Sequence, residues 1–415
     1  MGIRSRLRSA GLVCASAVAI GGLLAAPVGV AAAGAATLYV SPTGTTGAAD
    51  TTCATASYAT INSAIAAAAS GDTVIVCAGT YKEDVAVSEA LTLTGQAATI
   101  DATGLDNGVL ITASNATVQG FTVENATGEG ILAQQPNPVP GPPASGLFSG
   151  PPITNVTIEH NTVEGNDLGG LTASTTTYAE CQVSGNVPGD CGEGVHLWSV
   201  ANSRVLFNTI TENAGGILLT DEFGPTYGNL IAGNVVSDNA FDCGITLASH
   251  NLAFNTTTNQ YMPRFGGVYN NTIRNNVVND NGVLGFGAGV GIFAPGPATA
   301  AYNNVVDGNA MTGNGLAGVT LHAHAPGAIV NGNTIKNNLI GPNNLDGDTD
   351  LSPTPDNSTT GIVVWSAATP VTVTITGNTI LGNWYGIWIN ATVNAPNASH
   401  LNTFIGVSTH VHKAS

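Results

Sequence analysis

Asn208-Thr-Ile-Thr-Glu-Asn213-Ala-Gly-Gly216-Ile-Leu-Leu219 decides the fold, because the same phrase keeps returning along the chain. Two asparagines stand five apart, then comes glycine, then a short apolar strand. The phrase recurs as Asn234 and Asn239 before Gly244-Ile-Thr-Leu, and as Asn276 and Asn281 before Gly289-Val-Gly-Ile. Asn309 and Asn314 precede Gly318-Val-Thr-Leu, and Asn378 and Asn383 precede Gly386-Ile-Trp-Ile. Self-similarity at such a period is the signature of a solenoid. Successive glycines lie 22 residues apart from Gly194 to Gly216 and 25 from Gly361 to Gly386, and wider gaps are insertions into single coils. One copy holds too few apolar residues to bury a core alone, so the coils must stack. Each unit is too short for two helices, and its Val, Ile, Thr and Asn favour strands and turns.

The strand after each glycine can be divided by face, since side chains alternate across a strand. Val195/Leu197, Ile217/Leu219, Ile245/Leu247, Val290/Ile292, Val319/Leu321, Ile362/Val364 and Ile387/Ile389 should point into the core. The outward set is mixed: His196/Trp198, Leu218/Thr220, Thr246/Ala248, Gly291/Phe293, Thr320/His322, Val363/Trp365 and Trp388/Asn390. Tryptophan on an outward face points either to sugar rings stacked in a groove or to loops folded over it as secondary core. The repeated asparagines predict an internal hydrogen-bonded ladder, helped by their tolerance of left-handed backbone.

This phrasing resembles the right-handed parallel β-helix repeat proteins, the superfamily that includes pectin and pectate lyases and polygalacturonases, over roughly residues 37–405. The segment from Tyr58 through Ala-Thr-Ile-Asn-Ser-Ala-Ile-Ala-Ala-Ala-Ala-Ser-Gly-Asp-Thr to Val76, followed by Gly79-Thr-Tyr81, is similar to the opening of many secreted members. Taken on its own, it predicts a short Ala-rich helix ending at Gly71 and then a buried strand. That helix would cap the open end of the first coil. The expected fold is all-β: a right-handed parallel β-helix with a capping helix and inserted loops. The resemblance also implies action on polysaccharides. The adjacent Asp-Asp pair and Arg-x-Lys element of polygalacturonases are missing, so that subfamily's catalytic residues do not carry over.

Residues 1–36 carry the marks of a secretory signal: Arg4, Arg6 and Arg8, an apolar run from Gly11 to Val30, and small residues at Gly34-Ala35-Ala36. The expectation is an exported, extracellular chain in which residues 37–415 form one β-helix domain. Signal removal leaves six Lys and Arg against 26 acids, a net charge of 6 − 26 = −20. That excludes nucleic acid and an anionic membrane as partners, both of which need basic surface. It also tells against polyanions, whose lyases need Arg or Lys in the groove, often with calcium; a neutral or weakly acidic polysaccharide fits better. Five cysteines remain, suiting an oxidising compartment. Cys53 with Cys77 and Cys181 with Cys191 are the expected bridges, with Cys243 left as a buried thiol.

Insertions at 134–152, 168–193, 221–228, 249–267 and 343–360 interrupt the coils, as functional walls or decoration. Asp221 and Glu222 follow the outward Thr220, and Glu193 precedes the His196 strand. Asp221 with Glu222 or Glu193 are therefore candidates for a glycosidase acid and base, with His196 orienting a sugar oxygen. Trp198, Phe293, His322, Trp365 and Trp388 are the candidate sugar-binding residues. Asp346, Asp348 and Asp350 alternate as hard oxygen ligands do, making calcium the candidate ion, although no cofactor is required. His196 and His322 lie four coils apart, roughly 19 Å at ~4.8 Å per coil, and cannot share a metal. His322, His324 and His250 form an alternative metal set. The expected function is a carbohydrate-active enzyme cleaving or rearranging a polysaccharide in a groove on one sheet, more glycoside hydrolase than lyase. The alternative is a non-catalytic extracellular β-helix that binds glycan or serves as a surface protein.

Overall fold

A computed structural model describes residues 34–136, 151–167, 192–249, 254–255, 260–261, 266–284, 287–345, 358–367 and 369–414. Cys181, Cys191, His250, Asp346, Asp348, Asp350 and nearly all of the expected signal segment lie outside these residues.

The chain winds as a right-handed parallel β-helix. Each coil adds strands in parallel register to a long sheet with two arms, an eleven-stranded sheet, and a shorter five-stranded sheet. In the eleven-stranded sheet Ile131, Val195, Ile217, Ile245, Val290, Val319, Ile362 and Ile387 stand directly above one another. All fourteen residues expected to face inward are buried and share one continuous core.

The repeat glycine has a steric cause. A Cβ on Gly130 would stand 2.6 Å from the carbonyl oxygen of Gly194, and one on Gly361 would stand 2.7 Å from that of Gly386. Real Cβ atoms do not approach backbone so closely, so a side chain here would push neighbouring coils apart.

The asparagines form ladders, and there are three where the sequence phrase shows two. One column runs Asn161, Asn208, Asn234, Asn276, Asn309, Asn338, Asn378 and Asn402, each Nδ2 donating to the next Oδ1 at 2.8–3.1 Å. A second runs from Asn166 through Asn213, Asn239, Asn281 and Asn314 to Asn343. The third, Asn229, Asn271, Asn304 and Asn333, sits at the turn before the first. The left-handed residue is not the ladder asparagine but the one preceding it, as at Gly233, Asn275, Gly308 and Asn337. The ladder side chain is thereby free to satisfy backbone groups at the corner, which left-handed geometry leaves unpaired.

The N-terminal end is closed by the helix Ile61–Ala67, which buries Ile61, Ala64 and Ile65. Glu83 accepts from Ile61 N at 2.8 Å and Asn62 N at 3.0 Å, occupying first-turn donors with a carboxylate suited to the helix dipole. The helix ends well short of Gly71, because Asp72 accepts from Ala36 N at 2.7 Å and Ala69 N at 2.8 Å and draws the chain out of the helical path. No helix among the described residues is long and apolar enough to cross a membrane.

Cys53 and Cys77 are bridged as expected, 24 residues apart. Closing a loop of that length restricts the unfolded chain by about 3 kcal/mol. Cys53→Ser with Cys77→Ser is therefore expected to lower stability by about that amount, measured by denaturant unfolding against reduced and oxidised wild type. Cys243 is buried and accepts from Ala288 N at 3.1 Å.

Beside the cap, the Asp84 carboxyl is pushed up to about 6, by burial first and by Asp106 second, against a lowering hydrogen bond from the Asn107 backbone. A carboxyl raised above its ordinary 3.8 stabilises the fold only while protonated. Its contribution is complete below that value and is lost as pH rises toward 6. Acidification from pH 7 to 5 should thus raise wild-type Tm relative to Asp84→Asn, a difference read by calorimetry at both pH values.

Candidate functional site

Alternation breaks at the repeat glycine, where a Cβ on Gly194 would meet the core residue Ile210, so the position two residues before the first inward residue of each coil faces out. It is occupied by Glu83, Asn107, Glu129, Glu193, Gly215, Cys243, Ala288, Ala317, Thr360, Tyr385 and Thr409 in successive coils. Glu83 holds the position in the first coil, where it caps the helix; Glu129 and Glu193 are acids in adjacent coils, and stacking brings them together. His196, three residues along its strand from Glu193, leans back over both. The three side chains are 0%, 1% and 2% exposed for Glu129, Glu193 and His196. One ligating atom from each lies within 4.8 Å of the others.

The contacts fix His196 and Glu129. His196 Nδ1 lies 3.0 Å from Glu129 Oε1, and its Nε2 lies 2.9 Å from Thr220 Oγ1. Glu193 N donates to Glu129 Oε2 at 2.8 Å. The Trp198 ring stacks on the imidazole at 5.2 Å, and Phe223 stacks on the far face of Trp198 at 4.1 Å. The imidazole is thus held by two hydrogen bonds and an aromatic plate, which sets its plane. Gly215 supplies no side chain at the next coil. A Cβ there would stand 3.2 Å from Glu193 Oε1 and 3.1 Å from Asp242 Cβ, so glycine keeps space open between the buried Glu193 and the half-buried Asp242.

Glu193 and His196 belong to this cluster as the sequence suggests, but their expected partner does not. Gly215 pairs with Glu193, and Asp221 lies six residues further along the same strand direction. At ~3.3 Å per residue that is roughly 20 Å, too far for two carboxyls to flank one glycosidic bond. Asp221 is instead buried in the turn, accepting from Ser249 Oγ at 2.9 Å, while Ser249 accepts from Ala300 N at 3.0 Å. Glu222 sits half-buried beside it at the same far end. The missing partner is Glu129. Its signal was present in the sequence: Glu129-Gly130-Ile131 repeats as Glu193-Gly194-Val195.

The outward face is not the open floor expected of Trp198. That ring is fully buried and joins Leu132 and Phe223 in a satellite core. Trp388 is likewise buried, with Ala317 and Val363. Leu218, Thr246, Thr320 and His322 are buried too, so most of this face is closed to solvent. Phe293 and Trp365 keep partial exposure on either side of His322, with ring centroids 5.7 and 5.8 Å from it. His324 Nε2 approaches His322 Nδ1 at 3.3 Å.

Residues 107–262 and 264–404 match the family model described as right handed beta helix region. Among solved structures, the chain is similar to an alginate lyase from Paenibacillus sp. str. FPU-7, with 12% identity and a TM-score of 0.53, covering 87% of this chain and 99% of that one. It is also similar to the A-modules of two mannuronan C-5 epimerases of Azotobacter vinelandii. One shows 16% identity and a TM-score of 0.51, covering 86% of this chain and 93% of that one. The other shows 14% identity and a TM-score of 0.50, covering 86% and 94%. No curated protein matches the sequence.

Proposed function

This chain belongs to the right handed beta helix region family, and from that premise we propose that it is an exported carbohydrate-active enzyme cleaving or rearranging a neutral or weakly acidic polysaccharide. The observation that carries the reading is the buried Glu129–Glu193–His196 centre, whose two acids stand in adjacent coils at a repeat position held elsewhere by uncharged residues, Glu83 of the helix cap excepted. Nothing in stacking the coils requires acids there, and burying two carboxyls side by side costs stability. Such expense is characteristic of reacting centres. The names of the alginate lyase and the mannuronan epimerases, which the chain matches over most of their length, support a sugar polymer as the class of substrate.

Two carboxyls and an oriented imidazole suit the activation of one water or sugar hydroxyl for attack at a glycosidic carbon. Hydrolysis is favoured over elimination. After residue 36 the chain holds six Lys and Arg against 26 acids, a poor supply of basic groups for a groove that must hold uronate carboxylates. Phe293 and Trp365, partly exposed around His322, offer ring faces for further sugar units.

The test is a panel of plant, fungal and bacterial polysaccharides, read for new reducing ends and for absorbance of unsaturated products. Reducing ends without that absorbance support the hydrolase. Tight binding of one polymer with no turnover would favour a non-catalytic glycan-binding β-helix, a reading that the closed outward face also suits.

A further inference from the structure

We infer that Gln134, Gln135, Trp198 and Ser199 form a recognition subsite for a neutral, hydroxyl-bearing sugar unit beside His196. The inference rests on the proposed action on a sugar polymer, and it names the unit recognised. Gln134 and Trp198 end the strands Ile131–Gln134 and Glu193–Trp198 and are register partners in adjacent coils. Gln135 and Ser199 directly follow them. All four residues are buried, and among the described residues Gln134 Oε1, Gln135 Oε1, Trp198 Nε1 and Ser199 Oγ have no hydrogen-bond partner. Burying a polar atom unpaired is costly, and native interiors rarely tolerate it. This fold elsewhere bonds its buried asparagines rung to rung. Four unpaired polar atoms at neighbouring strand ends therefore point to a ligand that completes them.

The surrounding contacts define what that ligand must offer. Trp198 stacks on His196 at 5.2 Å and on Phe223 at 4.1 Å. Both indole faces are thus taken, and Trp198 can serve a ligand only by its edge, which carries the N–H. Gln135 Nε2 donates to Phe223 O at 3.2 Å. A carbonyl can only accept, so this bond orients the amide and leaves Oε1 as its unpaired atom. The subsite offers two amide oxygens that accept, one indole N–H that donates, and a serine hydroxyl that does either. Sugar hydroxyls also do both. Two neighbouring hydroxyls can donate to the amide oxygens while one accepts from the indole. A uronate carboxylate only accepts, and it would set its charge against both amide oxygens. Sites built to bond a hydroxyl discriminate strongly against analogues that lack it. Because Trp198 lies directly on the imidazole, a sugar unit held here is also aligned with the buried glutamates.

The experiment titrates the full chain calorimetrically with cello-, laminari-, manno- and xylohexaose, and with hexamers of mannuronate and galacturonate. At least one neutral hexamer is expected to bind about tenfold or more tightly than either uronate hexamer. Gln134→Leu removes an amide without breaking any described hydrogen bond. It should weaken that binding about tenfold while leaving Tm unchanged or higher. Trp198→Phe, which keeps a ring and loses the N–H, should weaken binding by about as much. A purely structural role for these residues predicts the opposite, a lower Tm with binding intact. Equal or tighter binding of a uronate hexamer overturns the inference, as does undiminished binding in both variants. Failure of every hexamer to bind also overturns it, the result expected if the four atoms bond only to water. Neutral-sugar binding that both variants weaken, without turnover of any polysaccharide, leaves this inference standing and sinks the enzymatic one. Turnover with binding undiminished in both variants does the reverse.

Discussion

Asn276→Ala is expected to lower stability by about 3–5 kcal/mol, a large loss for a side chain of its size. Asn276 Oδ1 accepts from Asn234 N at 2.9 Å and Asn234 Nδ2 at 3.0 Å. Its Nδ2 donates to Ile231 O at 3.0 Å and to Asn309 Oδ1 at 2.9 Å. Alanine strands these partners in a buried column no other group can reach. Each orphaned buried group costs about 1–3 kcal/mol, and the losses are not fully additive because Asn309 Oδ1 keeps the Asn276 backbone N–H. Asn402→Ala, at the partly buried end of the same column, should cost less than half as much. Urea unfolding of both variants measures the difference. A loss below about 1 kcal/mol at Asn276 would show that the column follows the fold rather than supporting it.

Glu129→Gln and Glu193→Gln are each expected to lower kcat/KM by about 10²–10⁴ on the substrate found in the polysaccharide panel, with folding intact. Glutamine keeps the shape and the buried hydrogen bonds but loses the ability to exchange a proton or carry the charge. Asp221→Asn separates this centre from the one the sequence suggests. Asp221 is bonded to Ser249 some 20 Å away along the strand, so its replacement should change Tm while leaving kcat near the wild-type value. Full activity in both glutamate variants, with loss in Asp221→Asn, would move the chemistry to the other end of the sheet.

The coil architecture was legible because its causes are local and repeated. Gly216, Ile217 and Leu219 announce a strand by themselves, and the copies at Gly244 and Gly289 fix the stacking. The third asparagine column was hidden because Asn229 and Asn271 are followed by strands without the glycine that marks the other turns. The helix stop was misplaced because Asp72 acts through Ala36, a contact no local pattern contains. The site was legible in half. Glu193 and His196 share a strand and so are near in sequence, although strict alternation would set residues three apart on opposite faces. Glu129 reaches them only through a register spanning an insertion, with a separation of 67 residues from His196. Outward aromatics such as Trp198 pose the reverse difficulty: alternation tells which way a ring points but not whether Phe223 will lie over it.

Consecutive rungs of the longest asparagine column are separated in sequence by 47, 26, 42, 33, 29, 40 and 24 residues, yet their bonds remain alike. The scaffold is therefore indifferent to how much chain departs between one rung and the next. Doubling a flexible loop costs only about 0.6 kcal/mol of closure entropy. Loops beside the Glu129–Glu193 centre can thus lengthen, shorten or be exchanged without disturbing the column that carries the coils. In evolutionary terms the backbone is a rack and the insertions are interchangeable fittings. New specificities can be acquired one loop at a time on a core that need not be relearned.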